Sequence, residues 1–198
     1  MGDRFIKTPV AGYISELSAR SMVPGGGSAS ALAACLGAGL NLMVINFSMG
    51  KNMPDKVTSV MKVFRDKQQE ILESLEGSVD GDCEAFTELM KALSDGTPSD
   101  EKYIRAAKEP LNVCRKSLES LEITGLIAKD CNKNLMTDVI SAAHMLRASF
   151  WSARVNVEIN LPGIKDAAFV SVVRKELEIM AEKIAELHGN VTSGTGVF

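Results

Sequence analysis

Between Arg20 and Lys51 no charged side chain occurs, and residues 24–51 read PGGGSASALAACLGAGLNLMVINFSMGK. Proline lacks an N–H and glycine gives up the most backbone entropy. Pro24, Gly25, Gly26 and Gly27 therefore cannot continue a regular element, whereas Ser28 is a good N-cap. The sequence predicts a helix from near Ser28 to Met49. Along it Ala33, Gly37 and Asn41, flanked by Ala34 and Ala38, recur four apart and let another backbone come close. A stretch this long and uncharged can cross a bilayer, but Ser28, Ser30, Gly37, Gly39, Asn41, Asn46 and Ser48 make it only weakly apolar, and no second such stretch exists. The reading that follows is a buried central helix that the rest of the chain must cover. Its entry through three glycines offers unpaired N–H groups and the positive dipole end to a carboxylate or phosphate. The plain alternative is a packing helix with nothing bound at its start.

The remaining segments also carry helical periods. Val10, Ile14 and Leu17 mark a short amphipathic helix over 8–20 that caps the bundle. Over 55–93 the apolar residues Val57, Val60, Phe64, Ile71, Leu75, Val79, Phe86, Leu89 and Leu93 form a stripe interrupted by Gly77 and Gly81. Ser99 opens a helix that ends near Lys129 and that Pro110 should kink or break. Two more helices are expected over 137–160 and 166–187, with a loose glycine-rich tail over 189–198. No strand of period two and no internal repeat is found. The expected architecture is an all-α, single-domain helical bundle over 1–198, of about five to seven helices around the glycine/alanine-rich central one. A composition of 45% hydrophobic but only 5% aromatic residues fits such an aliphatic core. A net charge of -3 with Lys and Arg dispersed argues against nucleic acid. Cys35, Cys83, Cys114 and Cys131 form no CxxC pair, and the N-terminus MGDRFIKTPV lacks a hydrophobic export signal, so the cytoplasm is the expected compartment. His144 and His188 stand far from any cysteine in sequence, and no metal is expected.

Two acids stand out by position. From Leu75 the core stripe steps to Val79, Asp82, Phe86, Leu89 and Leu93, so Asp82 occupies a place the pattern reserves for core, while Asp80 faces elsewhere. A carboxylate there must be ion-paired or must open on a ligand cavity, and the cavity is the favoured reading. On the 137–160 helix, beside an ordinary core face, runs the row Asp138, Ala142, Met145, Ser149, Ser152, Asn156 and Asn160. It is small and polar, like the wall of a cavity that hydrogen-bonds a ligand. Asp138 equally suits the first turn of its own helix, and Lys51 the C-terminus of the preceding one.

These pieces resemble the cyclodeaminase/cyclohydrolase family, which includes the C-terminal domain of formiminotransferase-cyclodeaminase and stand-alone bacterial methenyltetrahydrofolate cyclohydrolases. The resemblance is carried by VPGGGSASALAACLGAGLNLMVINFSMGK, VDGDCEAF over 79–86, NKNLMTD over 132–138 and NVEINLPGI over 156–164, in the family's order. Pro54, Cys131 and Thr137 stand where members often carry Tyr, Gly and Ser. The resemblance implies an all-helical, oligomeric enzyme, a homodimer or larger, that binds a folate and needs no metal or redox cofactor. It implies hydrolysis of 5,10-methenyltetrahydrofolate to 10-formyltetrahydrofolate. The alternatives are formiminotetrahydrofolate cyclodeamination with release of ammonia, and a helical scaffold or folate binder without turnover. Under it Asp82 and Asp138 become candidates for proton acceptor and stabiliser of the cationic amidinium, with Lys51 as a further catalytic candidate. Asn134, Asn156 and Asn160 would orient pterin or water, Phe86 would border them, and Pro24, Gly25, Gly26, Gly27, Ser28 and Lys51 suit the anionic glutamyl tail. The reading supposes that Asp82 and Asp138 share one hollow with the start of the glycine-led helix.

Overall fold

A computed structural model describes residues 4–50 and 53–193. The described residues form six α-helices and no strand: α1 (Val10–Ser18), α2 (Gly26–Ser48), α3 (Asp55–Ser94), α4 (Asp100–Asp130), α5 (Met136–Glu158) and α6 (Ala167–Ser193). Helix α2 is the centre, packed against α3, α4 and α5, while α6 lies across α4 and α5. It is long and apolar enough to cross a membrane, with a mean hydropathy of 1.7 over its most apolar window. Here its small residues serve packing: a methyl at Gly37 would come within 2.8 Å of Leu146 Cγ and 3.2 Å of the Ala142 carbonyl on α5. Its one buried amide, Asn41, is met by α4, donating to Ser120 O at 3.1 Å and to Thr124 Oγ1 at 2.9 Å. That pairing removes the cost of burying the amide and fixes the register of α2 on α4.

Helices α2 and α5 run antiparallel. Gly26, at the start of α2, lies against Asn156 near the end of α5, while Ser48 Oγ at the other end accepts from the Asn132 amide just before α5, at 2.9 Å.

Several expectations need correction. Helix α2 begins at Gly26 with Gly25 as N-cap, and Ser28 lies inside it with its hydroxyl bonded to Tyr13 Oη at 3.0 Å. Pro110 does not break its helix: α4 is continuous through it, just as α3 is continuous through Gly77 and Gly81. Helix α6 continues through Ser193, so the start of the expected tail is helical, and residues 194–198 lie outside the described residues. Helix α1 does not bury its apolar stripe: only Tyr13 is buried, with Val10 72% and Ile14 55% exposed.

Candidate functional site

A cavity of about 290 Å³ opens where α2 begins, between the α1–α2 loop, α3, α4 and the end of α5. A larger hollow of about 550 Å³, lined by Leu126, Lys129, Met136 and Leu187 among others, lies between the C-terminal parts of α4 and α6 and holds none of the expected site residues. The smaller one gathers Gly25, Gly26, Gly27, Asp82, Phe86, Asn156 and Asn160.

Asp82 meets α2 end-on. Its carboxylate faces the start of α2, and the nearby Ser28 backbone amide, one of those left unpaired in the first turn, favours its charged form. A methyl at Gly27 would overlap that carboxylate, so the third glycine is required by this approach. Asp82 makes no ion pair among the described residues. Burial pushes its pKa up to about 6, the Ser28 amide pulls it down, and the nearby Glu109 carboxylate adds to the rise. Glu109 itself sits behind Asp82 on α4, with Oε2 2.8 Å from where a methyl on Gly81 would be, and burial raises its pKa also. Asp80 is turned away, accepting from the Phe5 amide at 2.6 Å and Arg4 Nε at 3.2 Å, which ties the N-terminal segment to α3.

The opposite wall comes from α4 and the end of α5. Pro110 has no N–H for the carbonyl of Ala106 one turn earlier, and Asn160 Nδ2 takes that acceptor at 3.2 Å. The same Nδ2 donates to Asn156 O at 2.8 Å, and Asn156 Nδ2 donates to Ser152 O at 2.8 Å. The apolar lining includes Phe86, Leu89, Tyr103 and Ile159. Tyr103 is seated by the LPG turn, where a methyl at Gly163 would overlap its ring.

The other expected residues lie elsewhere. Pro24 is buried beside the cavity, and Ser28 lies beneath its floor with its hydroxyl engaged by Tyr13. Asn134 is exposed, its amide bonded to Asn132 Oδ1. Asp138 is half-buried in the first turn of α5. With a rise of 1.5 Å per residue it is about 27 Å from Asn156 along the axis, so within one chain the two acids do not share a hollow. The row on α5 is likewise no continuous wall. Ser149, at its middle, is buried and donates to Ser30 O at 2.7 Å, and only Asn156 and Asn160 reach the cavity. Lys51 lies outside the described residues. Residues that the sequence did not assign to the site include Leu89, which it placed only in the core stripe, and Tyr103, Ile159 and Glu109. Leu89 stands seven positions beyond Asp82 on the same helical face, a signal that was available; Tyr103 and Glu109 arrive on another helix.

A family model described as Formiminotransferase-cyclodeaminase matches residues 9–179. The chain belongs to the formiminotransferase-cyclodeaminase family. It is 33% identical over 184 residues to a methenyltetrahydrofolate cyclohydrolase of Methylorubrum extorquens, covering 86% of this chain and 88% of that one. It is 32% identical over 178 residues to the formimidoyltransferase-cyclodeaminase of Dictyostelium discoideum, covering 84% of this chain but only 32% of that longer protein. The fold is similar to the crystal structure of formiminotetrahydrofolate cyclodeaminase from Thermotoga maritima, with a TM-score of 0.89 at 28% identity over 94% of this chain and 95% of that one. In family terms, the PGGGS and VDGD segments meet at Gly27 and Asp82, and the NLPGI segment supplies Asn160 and seats Tyr103.

Proposed function

We propose that this chain hydrolyses 5,10-methenyltetrahydrofolate to 10-formyltetrahydrofolate. The observation that carries the reading is Asp82: a half-buried carboxylate with no ion-pair partner among the described residues, facing a mainly apolar hollow, with its pKa raised to about 6. Above that pH it is ionised, yet it is a stronger base than an ordinary carboxylate and is set to accept a proton near neutrality. The substrate's bridging carbon is a cationic amidinium, which the same negative charge stabilises. Water forms a bond to that carbon and gives one proton to Asp82. The bond from the carbon to N5 then breaks, N5 takes up a proton, the formyl group stays on N10, and one proton is released overall. Phe86 and Tyr103 suit the flat pterin and its neighbouring ring, and the open side of the cavity leaves room for the tail.

Assembly into a homodimer or larger closed oligomer belongs to the same reading. Helix α2 carries no charge, yet Leu36 and Phe47 are exposed on it, as are Val155 on the adjoining α5 and Ile159 just after its end. A second copy is the covering such a face suits, and an isologous two-fold contact is the usual form. With its axis across the middle of α5, one copy's Asn134 and Asp138 would approach the other's cavity, which accounts for two motif clusters at opposite ends of one helix.

The test is to follow methenyltetrahydrofolate absorbance with purified protein. Acceleration over the uncatalysed reaction supports the assignment. Its absence, together with ammonia release from formiminotetrahydrofolate, would establish the second reading, which the named activity of the Thermotoga maritima protein favours.

A further inference from the structure

We infer that Asn160 faces the ligand purely as a hydrogen-bond acceptor, and that it selects a heterocycle by the exocyclic amino group at the pterin 2-position. The inference rests on the folate reading above and deepens it.

The assignment of the amide follows from its partners. Asn160 Nδ2 lies 3.2 Å from Ala106 O and 2.8 Å from Asn156 O. Carbonyl oxygens cannot donate, so the nitrogen must be the atom facing them, and both of its hydrogens are engaged. Oδ1 is left with no donor among the described residues, and it is not sealed in the interior: the one fully buried side-chain oxygen or nitrogen without a partner is Gln68 Oε1. Asn160 lines the cavity, so its free oxygen is available there to an N–H donor. The arrangement is fixed from α4. A residue with an N–H at position 110 would compete for the Ala106 carbonyl, and Pro110 cannot. Pro110 is therefore a positioning residue that holds Asn160 in one orientation without touching the ligand.

The place of Asn160 indicates which donor it meets. Asp82 and Asn156 lie against the consecutive residues Gly27 and Gly26, and Asn160 is one helical turn, about 6 Å, beyond Asn156. On this inference the reacting amidinium lies at Asp82 and the far end of the fused ring system, which carries the 2-amino group, lies at Asn160 in the same cavity.

The probes are tetrahydrofolate and its 2-desamino-2-methyl analogue, in which a methyl of similar size donates nothing, with affinities measured by calorimetry on the intact protein. Leaving a desolvated acceptor unpaired should weaken binding of the analogue roughly tenfold to a hundredfold. Asn160→Leu should abolish that preference. Pro110→Ala restores an N–H, frees the Asn160 amide to rotate, and should lower the preference while leaving the melting temperature unchanged or higher, since alanine suits a helix interior better than proline. That combination separates positioning from support of the fold, and it keeps the test decisive if Asn160→Leu does not fold. Binding of both compounds without discrimination, or full preference retained in either variant, overturns the inference while leaving the folate reading intact. Binding of neither compound overturns both.

Discussion

Replacing Asp82 with Asn should make the protein more stable at neutral pH and inactive. The carboxylate's pKa stands at about 6 against 3.8 in an unperturbed chain, so ionising it costs the folded state more than the unfolded one. The shift is roughly 2 pKa units at about 1.4 kcal/mol each, or on the order of 3 kcal/mol. The sign follows from the direction. A carboxylate with a raised folded-state pKa favours the fold most below its unfolded value, and that contribution is lost as pH rises from about 4 through about 6. Asparagine keeps an oxygen for the Ser28 amide, fits the same space beside Gly27 and never ionises. Denaturant titrations of both proteins should therefore nearly coincide at pH 4 and separate progressively to pH 7.5. The plateau should be up to about 3 kcal/mol, or a rise in melting temperature of several degrees for a chain of this size. Turnover of methenyltetrahydrofolate should fall by roughly a hundredfold or more, the usual contribution of a general base. A variant less stable than the parent at pH 7.5, or a stability difference that does not change with pH, would refute the account of Asp82 as a desolvated and unpaired acid.

Other perturbations test the surrounding parts. Gly27→Ala places a methyl on the Asp82 carboxylate and should cost activity at least tenfold with the helical circular dichroism retained, whereas Gly81→Ala meets only the flexible end of Glu109 and should be milder. Glu109→Gln removes a negative charge that raises the Asp82 pKa, so the acid limb of the pH profile of kcat/KM should move to lower pH; an unmoved limb would exclude coupling between the two acids. Val155→Glu puts a charge on the exposed apolar face of α5 and should yield a monomer by light scattering, with turnover lost if the site is shared between copies. Dialysis against a chelator should leave turnover unchanged, because the proposed steps use only carboxylate, amide and water.

The sequence made the arrangement around Asp82 readable because three-and-four spacing reports which face a side chain occupies. An acid among Leu75, Val79, Phe86 and Leu89 had to be answered by something inside, and the charge-free run with its glycine entry identified α2 as the helix to be covered. The same spacing carries no information about axial position relative to other helices. Asp138 and Asp82 both read as inward, yet they lie at opposite ends of the bundle because α2 and α5 run antiparallel. Pro110 pointed to a kink or break, and α4 runs unbroken through it, because a local rule counts only the lost backbone bond. The Ala106 carbonyl that Pro110 leaves without a backbone donor is met by the Asn160 side chain, 54 positions further along and beyond the reach of any local rule. The outward stripe of α1 was misread for a related reason: amphipathicity says that a face is to be covered, not by which body.

The dependence of α2 on α5 also bears on how the chain is made. The leucine that fills the Gly37 notch leaves the ribosome only after the whole of α3 and α4 has been synthesised. Until then the most hydrophobic segment of the protein stands with one flank bare. Contacts this distant in the chain close slowly, and an uncovered apolar helix is the kind of surface that draws chaperones or like chains. Slowing translation between α4 and α5 should therefore lower the soluble yield of this protein more than an equal delay after α5.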